Sequence, residues 1–394
     1  MSDRPARGDL LRPSGVIVGL LLTLRVLILV IAAIDLSIET PTEPTLVRFH
    51  EVGQLEGRAW RDYPLEFAPG QFLVVRLIAR DDISGTAFGV AVLAVTADLA
   101  TFWMLRRGWG RSASGAYLVL GLPLLAILPM RLDGVAVALA VAAMWAARRA
   151  RSRVAGVLMA LAMLTRVWPV VLLPVLALRR GWRGVAWAAA SGAIGTLAWL
   201  LWSDGSRALL QVASFRGATG WEVGSTAGSI GWLVTGGPVR LEAGAFRVGT
   251  LPPWAYPVLA GLLSLLLVAV WLRARSETVD PAGAPSAAAV AGILFLAPVF
   301  SDGYVSWLLP WAAIASTDPA DPRRSIGLLT LAAATLTLAD RTIPGLGTGG
   351  GLFLLRDLAV GAIVLVWLMP REARGSKAAS RSTEPGARSG SARG

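Results

Sequence analysis

Apolar runs and short polar gaps alternate along most of the chain, and this alternation predicts a bundle of membrane helices. The first run, 16–34, is long enough to span a hydrocarbon core of about 30 Å. Further runs lie near 85–105, 113–129, 133–147, 154–164, 168–178, 184–203, 254–272, 287–300, 304–316, 325–339 and 352–369. Several are shorter than the roughly 17 residues of a straight crossing, so we expect short, tilted or re-entrant elements. The predicted fold class is all-α, a polytopic transmembrane protein of about 10–12 helices.

Two long polar intervals, 36–84 and 204–253, interrupt this pattern. We interpret residues 16–370 as one transmembrane domain in which these intervals form loops that enclose a catalytic cavity. Residues 1–15 are predicted to be a cytoplasmic N-terminus, and 371–394, rich in Ser, Gly and Arg, a disordered basic cytoplasmic tail.

Arginines collect in every second gap between the apolar runs. They are Arg106, Arg107 and Arg111, then Arg148, Arg149, Arg151 and Arg153, then Arg179, Arg180 and Arg183, then Arg273 and Arg275, and finally Arg323 and Arg324. Cytoplasmic loops of membrane proteins carry such an excess of positive charge. We therefore expect a multi-pass protein of the plasma membrane with both termini in the cytoplasm and both polar intervals facing outward.

The amino-acid composition excludes several classes of function. A net charge of +12 would indicate nucleic-acid binding in a soluble protein, but with 55% hydrophobic residues and arginines in the helix gaps it indicates membrane orientation. The chain has no cysteine and one histidine, which excludes thiolate chemistry and histidine metal cages. Without a nucleotide-binding loop, no cofactor is predicted, a divalent cation stays open, and a lipid-linked donor is favoured.

The densest group of charged and aromatic residues in the chain is EGRAWRDYPLEFAPG at 56–70. Asp62 and Glu66 lie four residues apart there, and Arg61 and Tyr63 beside them are candidates for substrate binding. A carboxylate within hydrogen-bond reach of a sugar hydroxyl can act as a general base. The alternative is that both acids are solvated loop charges, or that they pair with Arg58 and Arg61.

Other charged and aromatic residues fall in the gaps of the same predicted face. The candidates for substrate binding are Arg131, Asp133, Arg166, Arg216, Trp221, Glu222 and Tyr304, near Asp302, Asp340 and Arg341. Charges at a membrane boundary are costly and commonly functional, and arginine binds phosphate through two parallel hydrogen bonds. Structural alternatives are ion pairs of Arg131 with Asp133 and of Arg216 with Glu222.

Five segments resemble the polytopic C-type glycosyltransferases, and among them the family 87 polyprenyl-phosphate-dependent mannosyltransferases common in actinobacteria. They are RFHEVGQLEGRAWRDYPLEFAPG at 48–70, RLDGVAVAL at 131–139, LTRVWPVVLLP at 164–174, FRGATGWEVGSTAGSIGWL at 215–233 and APVFSDGYVSWLLPW at 297–311. The resemblance implies transfer of a sugar, most often mannose, from a polyprenyl phosphate to an envelope glycan or glycolipid at the outer face.

The resemblance also implies roles for particular residues. An acid of the first outer loop would be the base, here Asp62 or Glu66, and Arg131, Arg166 and Arg216 would hold the phosphate. Relatives usually carry an acid just behind the first helix, where this chain has Thr45. Glu43, the nearest acid, is therefore a third candidate for the base.

Two other functions stay open from the sequence. A flippase or transporter for lipid-linked sugars would need polar residues at mid-membrane, whereas the helix centres are mostly Leu, Val and Ala. A catalytically inactive scaffold of the cell envelope is slightly favoured by Thr45, which replaces the usual acid.

Overall fold

All twelve apolar runs are helical in the computed structural model, which describes residues 14–38, 41–178, 182–214, 217–242, 244–318, 323–342 and 351–370. The α-helices are α1 Gly15–Ile38, α2 Pro44–Gln54, α3 Pro69–Ile78, α4 Ile83–Gly108, α5 Gly110–Leu120, α6 Asp133–Arg148, α7 Ser152–Thr165, α8 Leu173–Ala177, α9 Trp182–Trp202, α10 Ser206–Ala213, α11 Thr226–Thr235, α12 Ala255–Ser276, α13 Ala284–Leu296, α14 Leu309–Thr317, α15 Arg324–Thr342 and α16 Gly351–Leu368. Short 3-10 turns occupy Leu122–Leu124, Leu128–Met130, Trp168–Leu172 and Asp302–Trp307.

The predicted all-α membrane class is confirmed. Within the described ranges, five helices, α1, α4, α9, α12 and α16, are long and apolar enough to cross a membrane. The helix number exceeds the predicted 10–12 because α2, α3, α10 and α11 form inside the polar intervals. The predicted N-terminus before residue 14 and the tail 371–394 lie outside the described residues.

Small residues let neighbouring helices approach closely, as is usual in membrane bundles. The clearest case is α7 against α9, where Gly156 faces the α9 backbone. A Cβ added at Gly156 would lie 2.5 Å from the carbonyl oxygen of Gly184 and 2.8 Å from the nitrogen of Ala188. The helix contact therefore requires glycine at this position.

We expect Gly156→Ala to destabilise the protein by about 1–3 kcal/mol, because the extra methyl forces α7 and α9 apart. The matched control is Gly261→Ala in α12, where an added Cβ has no neighbour within 4 Å among the described residues. Thermal unfolding in lipid nanodiscs measures both variants. Equal midpoints for the two would contradict the close contact.

A buried ionic cluster joins α1, α4 and α5 in the helical bundle. Arg25 Nε and Nη2 donate to the two carboxylate oxygens of Asp98 at 2.8 and 2.7 Å. The hydroxyl of Tyr117 donates to Asp98 at 2.6 Å, and the side chains of Arg25 and Asp98 are 0% and 4% exposed. The helix interiors, which are mostly Leu, Val and Ala, thus also contain a buried ion pair.

The 36–84 interval is held down by its own apolar core. Trp60, which has a left-handed φ of 64°, packs edge-on against Phe72 and Trp199 at 5.1 and 5.3 Å. Gln211 of α10 donates to the carbonyl of Trp60 and accepts from the nitrogen of Leu65, both at 3.0 Å. The two polar intervals are therefore bonded to each other.

The second interval also contains a small antiparallel sheet, which the sequence did not predict. Its strands, β1 Trp221–Glu222, β2 Arg240–Glu242 and β3 Ala245–Val248, are arranged in the order β1-β3-β2. Trp221 pairs with Val248 and Glu222 with Arg247. The backbone nitrogen of Glu222 donates to the carbonyl oxygen of Pro298 at 3.2 Å. The sheet therefore lies beside the segment 298–307, which includes the 3-10 turn Asp302–Trp307.

Residues of the arginine-rich gaps lie together at the end of the bundle opposite the two polar intervals. We name this end the arginine face. Glu277 pairs there with Arg273 at 2.9 Å and Arg323 at 3.3 Å. Asp280 pairs with Arg148 and accepts from the indole nitrogen of Trp109 at 3.1 Å. Loops that are far apart in the sequence are thereby tied together at this end.

Candidate active site

A cavity of about 720 Å³ lies between the two polar intervals and the helices α7, α9 and α13. Its wall is mainly apolar and includes Leu164, Val167, Leu173, Ala193, Ile293 and Leu294. Val167 is 57% exposed, so the wall continues to the outer surface of the bundle. A cavity of this size holds a drug-sized ligand, and its wall also carries the polar side chains of Glu66, Arg166 and Arg247.

Glu66 lines the cavity and is the one carboxylate among the described lining residues. Its two oxygens accept from Nε and Nη2 of Arg48, both at 3.1 Å. The arginine also contacts the more exposed Glu51 at 3.3 Å. A forked pair of this kind fixes the orientation of the carboxylate. The partner of Glu66 is therefore Arg48 of α2, and not Arg58 or Arg61, the pairing considered from the sequence.

Arg166 enters the cavity from the end of α7. Its Nη2 donates to Asp133 at 3.1 Å, and the other oxygen of Asp133 accepts from the indole nitrogen of Trp307 at 2.9 Å. The Nε of Arg166 is buried and has no hydrogen-bond partner within the described ranges. Asp133 thus holds the guanidinium by one edge and leaves Nε for a ligand.

A column of stacked aromatic rings lies beside Arg166, whose guanidinium carbon is 6.0 Å from the centre of the Tyr304 ring. Trp168 stacks on Trp307 at 5.0 Å between ring centroids, Trp307 on Tyr304 at 4.1 Å, and Tyr304 on Phe300 at 6.4 Å. Trp168, Tyr304 and Trp307 line the cavity. Trp307 lies between Trp168 and Tyr304, and Tyr304 lies between Trp307 and Phe300, so the faces of these two rings are covered and their edges line the cavity.

An ionic network lies beside the cavity and connects residues from four segments. Glu43 accepts from Arg131 at 3.2 Å and from Arg341 at 2.9 Å, and Arg131 also donates to the hydroxyl of Thr45. Arg341 continues to Asp302 at 2.9 Å. The partner of Arg131 is therefore Glu43, and the ion pair with Asp133 that the spacing suggested does not form. We name this end of the bundle the site face.

The remaining candidates of the 56–70 stretch lie away from the cavity. Asp62 is exposed and accepts from the backbone nitrogen of Arg58 at 2.7 Å, so its carboxylate closes the turn that contains it. Arg61 is exposed in the same turn. Tyr63 is half-buried against the apolar core under the interval, and desolvation by this burial raises its pKa.

The candidates of the second interval divide between the sheet and residues that are not described. Arg216 lies outside the described residues, so its pairing with Glu222 stays a prediction. Trp221 is half-buried in β1. Glu222 accepts from the backbone nitrogen of Phe300 at 3.1 Å. This contact fixes the sheet to the aromatic column.

Three residues at this end were missed by sequence reasoning. Arg48 pairs with Glu66, Arg247 of β3 lines the cavity with a nearly fully buried side chain, and Gln71 of α3 lines it as well. Arg48 and Gln71 flank the 56–70 stretch closely enough to have been included. Arg247 gave no signal, because the strand that carries it is only four residues long.

Glu222 gives the site face a dependence on pH. Burial raises its pKa from 4.5 to about 7, although Arg247 and Arg356 act in the opposite direction. The folded protein therefore holds a proton on Glu222 that the unfolded chain would release. This contribution to stability is complete below about pH 4.5 and is lost as the pH rises through about 7.

We expect the thermal midpoint of the wild-type protein to fall as the pH rises from 5 to 8. Glu222→Gln should remove part of that fall, equivalent to about 1–3 kcal/mol in the free energy of unfolding. The control is Glu242→Gln. Slight desolvation raises the pKa of Glu242, but hydrogen bonds from Thr219 and Arg240 outweigh this effect and lower the pKa. Glu242 therefore titrates below this pH window. Parallel curves for wild type and Glu222→Gln would contradict the assignment.

No set of three or more His, Asp or Glu side chains that could hold a metal ion occurs among the residues described. The cavity instead combines a carboxylate, two arginines and stacked aromatic rings with a long apolar wall. This arrangement has the parts needed to hold an anionic lipid head, to contact a sugar and to accept a proton.

Comparisons with known proteins give a family and a similar solved structure. Residues 67–302, more than half of the chain, match glycosyltransferase family 87. The structure is similar to the crystal structure of ArnT from Cupriavidus metallidurans bound to undecaprenyl phosphate, with 13% identity, a TM-score of 0.44, and coverage of 89% of this chain and 76% of that chain. No curated protein matches the sequence. By its matching segment, this membrane protein belongs to glycosyltransferase family 87.

Proposed function

We propose that the protein transfers a sugar, mannose in our hypothesis, from a polyprenyl phosphate to a glycolipid or glycan of the cell envelope. The observation that carries the proposal is the single cavity in which Glu66, Arg166 and Arg247 meet an apolar wall. Membership of a glycosyltransferase family supplies the reaction class.

The donor lipid fits the shape and polarity of the cavity. Its polyprenyl chain would lie along the apolar wall and leave between helices near Val167 and Val170, both of which line the cavity and are exposed. Its phosphate would be held by Arg166 and Arg247, because guanidinium groups bind phosphate oxygens through charge-assisted hydrogen bonds. Arg131, predicted to have this role, is engaged by Glu43 and Thr45.

In our hypothesis Glu66 is the general base. The acceptor hydroxyl gives its proton to the Glu66 carboxylate while its oxygen forms a bond to the anomeric carbon. The bond between that carbon and the phosphate oxygen breaks, and the phosphate leaves with the electron pair on the opposite face of the sugar. The product is inverted at the anomeric carbon. The arginines stabilise the charge on the leaving polyprenyl phosphate.

We infer from charge that the site face lies outside the plasma membrane. Arg148, Arg273 and Arg323 on the arginine face supply the excess of positive charge typical of cytoplasmic ends. The termini would then lie in the cytoplasm, and a lipid-linked donor would reach the cavity from the outer leaflet.

The proposal is tested with the protein purified into lipid nanodiscs. Radiolabelled undecaprenyl-phosphate mannose and a crude envelope glycolipid extract are added, and label in the acceptor fraction is counted. We expect label to move to acceptor. Donor that binds and crosses between leaflets of proteoliposomes without transfer would replace the proposal with a flippase, and donor that binds without either event would replace it with an inactive scaffold.

A further inference from the structure

Gln71 is a buried polar side chain whose hydrogen-bonding groups are unused within the protein. Its side chain is 1% exposed, and neither the amide nitrogen nor the amide oxygen has a hydrogen-bond partner among the described residues. An unsatisfied buried polar group costs about 1–3 kcal/mol. A native fold that keeps an unsatisfied buried group commonly does so for a function. Gln71 lines the cavity, where a ligand could satisfy its amide.

The position of Gln71 is fixed by the start of α3. Pro69 is at the first turn of this helix, and Gly70 is pressed against the end of α7, where an added Cβ would lie 2.8 Å from the carbonyl oxygen of Leu164. Arg166 is the first residue after α7. The start of α3 is therefore held against the end of α7, and Gln71, Glu66 and Arg166 all line the cavity.

The hydrogen-bonding groups of an uncharged amide determine which ligand groups it can bind. Its nitrogen donates and its oxygen accepts, which matches two neighbouring hydroxyl groups of a sugar, each of which can donate and accept. A phosphate offers acceptors only and would leave the amide oxygen without a donor. The two arginines that line the cavity already suit the phosphate.

We propose that Gln71 is a specificity-determining residue that hydrogen-bonds hydroxyl groups of the donor sugar. The inference rests on the proposed function for the identity of the lipid-linked donor, and it adds the residue that would distinguish the glycosylated lipid from the bare lipid phosphate. The edges of the Tyr304 and Trp307 rings, which line the cavity, would contact the same sugar.

The test compares binding of two lipids, undecaprenyl-phosphate mannose and bare undecaprenyl phosphate, to wild type and to Gln71→Leu in nanodiscs. Leucine keeps a similar volume and cannot form hydrogen bonds. We expect the glycosylated lipid to bind about tenfold to a hundredfold more weakly to the variant, as the loss of two hydrogen bonds implies, and the bare lipid within about twofold. The thermal midpoint without lipid should not fall, because no internal bond is lost.

A matched control is Thr196→Val, which removes a hydroxyl from the cavity wall and should leave the preference for the glycosylated lipid unchanged. Equal losses for both lipids would assign Gln71 to the phosphate and overturn the proposal. Unchanged binding together with a lower midpoint would assign it to the fold alone and also overturn it. Because the readout is binding, a protein that prefers the glycosylated lipid through Gln71 but never transfers sugar would refute the proposed function and leave this inference standing.

Discussion

Replacing Asp98 with Asn is expected to destabilise the protein by about 3–5 kcal/mol, because it leaves the buried charge of Arg25 without its counter-ion. Both guanidinium hydrogen bonds and the one from Tyr117 end on this carboxylate. The measurement is thermal unfolding of the purified variant in nanodiscs, with the yield of folded protein after solubilisation as a second readout.

Two controls separate the buried charge from a general effect of the substitution. Asp204→Asn breaks a pair with Arg207 whose side chains are 40% and 79% exposed, and should change stability by less than about 1 kcal/mol. The double variant Arg25→Met with Asp98→Leu removes both charges and should recover much of the loss. An Asp98→Asn protein as stable as Asp204→Asn would show that the cluster does not support the bundle.

The largest effect on catalysis is expected for Glu66→Gln. An amide cannot accept the proton of the acceptor hydroxyl, so kcat/KM for sugar transfer should fall by about 100-fold to 10,000-fold. Asp62→Asn should retain activity within a few-fold, because Asp62 is exposed and its carboxylate caps a local turn. The same transfer assay with acceptor in excess measures both variants.

Glu51→Gln is the matched control for Glu66→Gln, since both acids contact Arg48 and Glu51 is mostly exposed. It should leave transfer nearly unchanged. Full activity of Glu66→Gln combined with loss in Glu43→Gln would move the base to the network of Arg131 and Arg341. Loss in Asp62→Asn alone would return the base to the exposed turn.

The helices could be predicted from the sequence because their signal is local. Each apolar run contains a helix, and most boundaries agree within a few residues, as in 133–147 for α6. The run 113–129 differs, because its α-helix ends at Leu120 and 3-10 turns follow. The charges at the site face were also visible, since they stand at the ends of apolar runs. Alternation of the arginines indicated which gaps would share a face.

The partners of those charges could not be predicted, because they depend on tertiary contacts. Arg25 and Asp98 are 73 positions apart, and Glu43 and Arg341 are 298 apart. Nearby residues suggested simpler pairs, such as Arg131 with Asp133, that the fold replaces with long-range ones. The sheet of the second interval was missed because its two- to four-residue strands are too short for a recognisable alternation.

The central claim is that the cavity lined by Glu66, Arg166 and Arg247 is where a sugar leaves a polyprenyl phosphate. Single-turnover transfer tests it most directly, with radiolabelled undecaprenyl-phosphate mannose bound to wild type or Glu66→Gln protein before acceptor is added. The account predicts that wild type passes the bound label to acceptor with inversion, and that Glu66→Gln keeps the donor bound and transfers it at least about 100-fold more slowly. Transfer by Glu66→Gln at the wild-type rate, or donor that stays on the wild-type protein indefinitely, would contradict it.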